Sequence, residues 1–104
     1  MQKYKKIYYS TFNYPLHADT YVESEISNNR AVDIHHIIGR GKKGECRIEN
    51  LIALTREEHN NLGDKKHHMC YLLNKHRDYL LKNGIKFNKD WFTELLNKYD
   101  SFKL

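Results

Sequence analysis

The 104 residues include only two cysteines and one proline, with no long hydrophobic run, and each scarcity removes a class of protein. Cys46 and Cys70 cannot build a disulfide scaffold, and neither belongs to a Cys-x-x-Cys pair, so a structural zinc site made of thiolates is not expected. No stretch approaches the roughly 18 apolar residues of a transmembrane span. The opening MQKYKKIYYSTF lacks the apolar segment of a signal peptide, so the expectation is a soluble, intracellular, cytoplasmic protein without a membrane partner. Repeats, low-complexity tracts and Gly/Ser-rich linkers are also missing. A single domain over residues 1–104 is expected, with 39% apolar residues to supply one modest core.

What the chain does have is positive charge and histidine. Lys plus Arg number 18 against 13 Asp plus Glu, a net +5, and the isoelectric point is near 9.2. That balance suits a polyanionic partner, although a basic surface by itself fits plain solvation equally well. Seven histidines include the adjacent pairs His35-His36 and His67-His68. Any chemistry must come from their spacing.

Residues 1–29, with Tyr4, Ile7, Tyr8, Tyr9, Phe12 and Tyr14, read as an irregular lead-in whose apolar side chains cover the core. Residues 31–38 are rich in β-branched side chains and run into Gly39-Arg40-Gly41-Lys42-Lys43-Gly44. Glycines at that density end regular structure, so a strand followed by a mobile basic loop is predicted. Residues 48–54 form a second apolar run, which makes the pair an antiparallel hairpin with an extended, Ω-like connection. Thr55-Arg56-Glu57-Glu58 has the form of a capping box, so a helix should start there, carry His59 at the end of its first turn and close at Gly63. Met69, Leu72, Leu73, Tyr79 and Leu80 give the stripe of an amphipathic helix over about 66–82, capped by Asn83-Gly84. A last helix over about 89–102, capped by Asn88, presents Phe92, Leu95, Leu96 and Tyr99. The fold class is α+β.

Strand, loop, strand and helix can bring His59 across the hairpin to one of the paired histidines, with Asn50, at the start of the second strand, near the other. Two imidazoles can hold one divalent cation and leave positions open to water and phosphate oxygens. An imidazole free of the ion can serve as general base at neutral pH, and a side-chain amide can orient it. The plainer readings are buried imidazoles bonded to backbone carbonyls and, for Asn50, a turn residue.

In order, Asp33-Ile34-His35-His36-Ile37-Ile38-Gly39-Arg40-Gly41, then Ile48-Glu49-Asn50-Leu51-Ile52-Ala53-Leu54, then His59 resemble the motif of the HNH endonucleases over about residues 30–64. The resemblance implies a ββα-metal core behind an irregular N-terminal segment, with two packing helices after it. It implies metal ligation by His35 and His59, water activation by His36 and orientation of His36 by Asn50. It implies one divalent ion, Mg²⁺ or Mn²⁺ in turnover with Zn²⁺ or Ni²⁺ also accepted. The substrate would be DNA, held mostly by its backbone through Arg40, Lys42, Lys43, Arg47 and Arg56. A phage or mobile-element origin suits the small size, and a dimer is one of the states left open. Relatives of this pattern often carry two Cys-x-x-Cys pairs for a structural zinc; here Ser24-Glu25-Ile26-Ser27 and Thr55-Arg56-Glu57-Glu58 stand in those places, so no structural zinc is expected. Others carry a third histidine ligand where this chain has Gly63, which leaves water or His67 for that position. The alternative is a DNA-binding or inhibitory module on the same scaffold with little or no catalysis. His76, within the helical stripe, reads as a packing residue.

Overall fold

The two apolar runs pair as expected. Strand β1 (Asp33–His36) lies antiparallel to β2 (Leu51–Leu54), with His35 opposite Ile52 and His36 opposite Leu51. The computed structural model describes residues 1–39 and 45–103. Both strands are shorter than the apolar runs that announce them. Ile48–Asn50 is a 3₁₀ turn rather than the first half of a strand. The Asn50 side chain accounts for this. It accepts from the Ile38 amide at 2.8 Å and donates to the carbonyls of Ile38 at 3.1 Å and Glu45 at 2.9 Å, which a regular strand would carry it away from.

All four residues of β2 are buried, because the hairpin is covered on both faces. On one face Ile34, Leu51 and Ala53 pack with Tyr8, Tyr9 and Val22. On the other, Ile52 and Leu54 pack with Ile37, Met69, Leu72, Leu73, Leu80 and Phe92. All of these partners but Ile37 come from α3 (Met69–Lys82) and α4 (Lys89–Tyr99), the two helices expected from periodicity. Each is trimmed by a 3₁₀ turn, Lys66–His68 before α3 and Asp100–Phe102 after α4. Asn88 caps α4 by accepting from the Trp91 amide, and Gly84, at φ 68°, takes the left-handed position past the end of α3.

The N-terminal segment is not the irregular lead-in expected of residues 1–29. It contains the helix α1 (Lys3–Thr11), whose buried Tyr8 and Tyr9 roof the first face of the hairpin. Residues 22–31 then form a bridged turn, with Glu23 opposite Arg30. The Glu25 amide donates to the Ala53 carbonyl, and the Val32 amide continues the ladder onto Leu54. Packing on the sheet holds α1, since its own ends supply little: no side chain caps it and Lys3, Lys5 and Lys6 crowd its positive end.

Helix α2 (Arg56–Leu62) follows β2 after a single residue. Thr55 accepts from the Glu58 amide at 3.1 Å while the Glu58 carboxylate accepts from the Thr55 amide at 2.8 Å, the complete capping box. Glu58 also accepts from Ser24 at 2.6 Å, which ties the start of α2 to the turn after Val22. The result is an α+β fold with a two-stranded antiparallel sheet and a radius of gyration of 13.0 Å, that of a compact domain of about 100 residues. Among the described residues no helix is long and apolar enough to cross a membrane.

Candidate metal centre

Alternation along β1 sends Asp33 and His35 to one face and Ile34 and His36 to the other. Because α2 starts so soon after β2, its exposed side returns over the first of these faces. The rings of His35 and His59 thus come to 4.5 Å between centroids. A third group completes the set: ligand atoms of His35, His59 and Asp64 all lie within 4.8 Å of one another. Two imidazoles and a carboxylate at that spacing can hold a metal ion.

The polar accounting favours an ion there. His35 is 5% exposed, and its Nε2 is buried with no hydrogen-bond partner among the described residues. Buried nitrogens are rarely left so, and an ion is one partner that would satisfy this one. Burial, then the neighbouring His59, pushes the His35 pKa down to about 4, which keeps the ring in the neutral form that ligates.

His59 is held from behind. Its Nδ1 lies 3.0 Å from Asp33 Oδ2, and Arg56 grips the same carboxylate through Nε at 2.9 Å and Nη2 at 3.2 Å. Burial alone would raise the Asp33 pKa, but the bonds from His59 and Arg56 outweigh it and hold the group below its ordinary value. An ionised carboxylate only accepts, so His59 Nδ1 carries the proton and Nε2 is the nitrogen left for an ion.

His36 sits apart from this group, on the α1 face. Tyr4 meets its ring edge-on at 4.9 Å, and its Nε2 is 3.3 Å from Cys46 Sγ. Asn50 is fully buried with its amide engaged by the backbone at Ile38 and Glu45, so its hold on this region runs through the ends of the loop that follows His36. Arg47 is bound by Glu49 at 2.9 Å and Glu45 at 3.1 Å and lies over the Trp91 ring. Arg56 is committed to Asp33 through two of its nitrogens. Arg40, Lys42 and Lys43, expected to contact a nucleic-acid backbone, lie outside the described residues. His67 stacks beside His68 at 4.1 Å and is not part of the metal-ligating set; Asp64 stands where His67 was one candidate.

Two participants escaped the sequence reading. Asp33 was visible as a strand residue two before His35, on the same face, which is the signal that could have found it. Asp64 offered none, because its approach depends on a left-handed backbone at φ 58° just past Gly63. His76, read as a packing residue, is fully buried and polar in its contacts. Its Nδ1 donates to Glu25 at 2.7 Å and its Nε2 to the Ile48 carbonyl at 2.6 Å.

No protein-family model matches this chain, and neither the curated proteins nor the solved structures give a match.

Proposed function

We propose that the protein is a metal-dependent endonuclease of the HNH type, hydrolysing phosphodiester bonds in DNA. The observation that carries this reading is the buried Nε2 of His35, without a partner among the described residues, beside His59 and Asp64, with His36 next along the same strand. The order of parts supports it too: a hairpin bearing His35 and His36, Asn50 entering the second strand, and a capped helix bringing His59 back over the first.

In this reading His35, His59 and Asp64 hold one divalent ion, which supplies Lewis-acid stabilisation of charge on the phosphate and the leaving oxygen. His36 takes the proton from the attacking water. Strand β1 ends at His36, so a backbone laid across the strand end meets the ligand face on one side and His36 on the other. Asn50 holds the backbone at Ile38 and Glu45 and thereby keeps the strand end in place for His36. Arg56 keeps its grip on Asp33 and has Nη1 left for a phosphate oxygen. Arg40, Lys42 and Lys43, outside the described residues, are the phosphate contacts this reading takes from the sequence, and binding is then governed by phosphates more than by base edges.

Nicking of supercoiled plasmid across Mg²⁺, Mn²⁺, Ni²⁺ and Zn²⁺ tests this directly, with wild type beside His36→Ala and His35→Ala. The expected result is ion-dependent conversion to open circles, reduced by about 10²-fold or more in His36→Ala. Plasmid left intact with every ion, on protein that still binds DNA, would favour the second reading, a binding or inhibitory module on this scaffold.

A further inference from the structure

We propose that Asp33 is a positioning residue of the metal centre: its carboxylate, clamped by Arg56, fixes the His59 proton on Nδ1 and leaves the lone pair on Nε2. The inference rests on reading His35, His59 and Asp64 as metal ligands, and it adds a residue that holds a ligand without touching the ion.

Three placements make the clamp. Asp33 opens β1 on the same face as His35. Arg56 and His59 stand three residues apart on α2, so both side chains leave the helix on one side. Asp33 Oδ2 then receives Arg56 Nε at 2.9 Å and His59 Nδ1 at 3.0 Å, while Oδ1 receives Arg56 Nη2 at 3.2 Å. The two-pronged guanidinium stops the carboxylate from rotating, and a carboxylate that cannot rotate keeps one oxygen on the imidazole. Asp33 and His59 are partly buried, with side chains 20% and 32% exposed, whereas Arg56 is 68% exposed. The inner bond is therefore less exposed to water than its anchor. A neutral imidazole can carry its proton on either nitrogen, and it offers a lone pair to an ion only from the other. An anionic partner on Nδ1 settles that choice and makes Nε2 a stronger donor to the ion.

A simple tie between strand and helix would use the same contacts, so the test must read the ring itself. Long-range ¹H–¹⁵N spectra of metal-free protein report which nitrogen of His59 is protonated, and calorimetric titration with Zn²⁺ alone reports affinity. Wild type should show the Nδ1–H form. Asp33→Ala should move the proton toward Nε2 and lose about 10- to 100-fold in Zn²⁺ affinity. Asp33→Asn, whose amide oxygen still accepts from Nδ1, should keep the tautomer and lose less affinity, and it carries the test if the alanine variant does not fold. An unchanged tautomer in Asp33→Ala, or in either variant a Zn²⁺ affinity within twofold of wild type, would overturn the proposal. A wild type that shows Nδ1–H yet takes up no Zn²⁺ would overturn the metal reading instead, so the two failures are distinguishable.

Discussion

At Gly63 the two histidines of the candidate site exclude a side chain. A Cβ there would lie 2.6 Å from both Cδ2 and the carbonyl oxygen of His59, and 3.2 Å from Cε1 of His35. The chain therefore leaves α2 through a residue with nothing to collide, and the next residue turns left-handed to present its carboxylate. One helical turn beyond His59 is where a third donor belongs by periodicity, and there the sequence has only glycine. The carboxylate of the candidate set, Asp64, comes one residue later, from a backbone conformation that no pattern of residue types announces. His35 and His59, by contrast, were legible because strand alternation and a local capping box place them. Gly63→Ala should keep the far-UV circular dichroism of the wild type while weakening Zn²⁺ binding by about tenfold or more. Affinity equal to wild type would mean that the two rings can separate without loss and that the group is no ligand set.

Among the elements, α2 was the easiest to foresee and α1 the hardest, for opposite reasons. The signals for α2 are local: Thr55, Glu58 and Gly63 lie within nine positions of one another. Helix α1 has no cap and carries lysines at its positive end, so only its contact with a sheet formed much later in the chain makes it a helix. The seat of α2 also has a part that was invisible in sequence. Ser24 Oγ donates to Glu58 at 2.6 Å and accepts from the amides of Ile26 and Ser27, joining segments 34 residues apart. These bonds, with those of Thr55, outweigh the burial that would otherwise raise the Glu58 pKa and hold it below its ordinary value. Ser24→Ala removes the hydroxyl from a buried position and strands its partners. Urea melts should show a loss of about 1–3 kcal/mol, and a loss under 0.5 kcal/mol would mean that water replaces the hydroxyl at little cost.

Across the whole molecule, one buried ion pair joins nearly every layer. Glu25 accepts from Tyr8 of α1 at 2.6 Å and from His76 of α3 at 2.7 Å, and His76 also holds the Ile48 carbonyl just before Asn50. Both His76 nitrogens face acceptors, so the ring donates twice and is charged. Burial pushes its pKa down, but Glu25 and then the Ile48 carbonyl outweigh that, and the folded value is raised. A raised value means that this contribution is complete below the ordinary histidine pKa of about 6.5 and disappears as pH climbs through the folded value. Asp33, Glu49 and Glu58 are lowered and act in the opposite sense: their contribution holds above the ordinary carboxylate range and is lost on acidification. Thermal melts should therefore fall off on both sides of a plateau. His76→Gln should be less stable at pH 6 by about 3–5 kcal/mol and should show a flatter decline between pH 6 and 9 than wild type. Parallel declines in the two proteins would remove His76 from the alkaline limb.

The polar seat of α2 also sets an order of events. Ser24, Thr55 and Glu58 make their bonds with groups of the chain alone, so neither the seat of α2 nor the contact of His59 with Asp33 calls on an ion. On the proposed reading an ion would join a finished polypeptide instead of finishing it. Such a molecule would be open to emptying and refilling, and the ion it carried would be decided by what surrounded it at that moment.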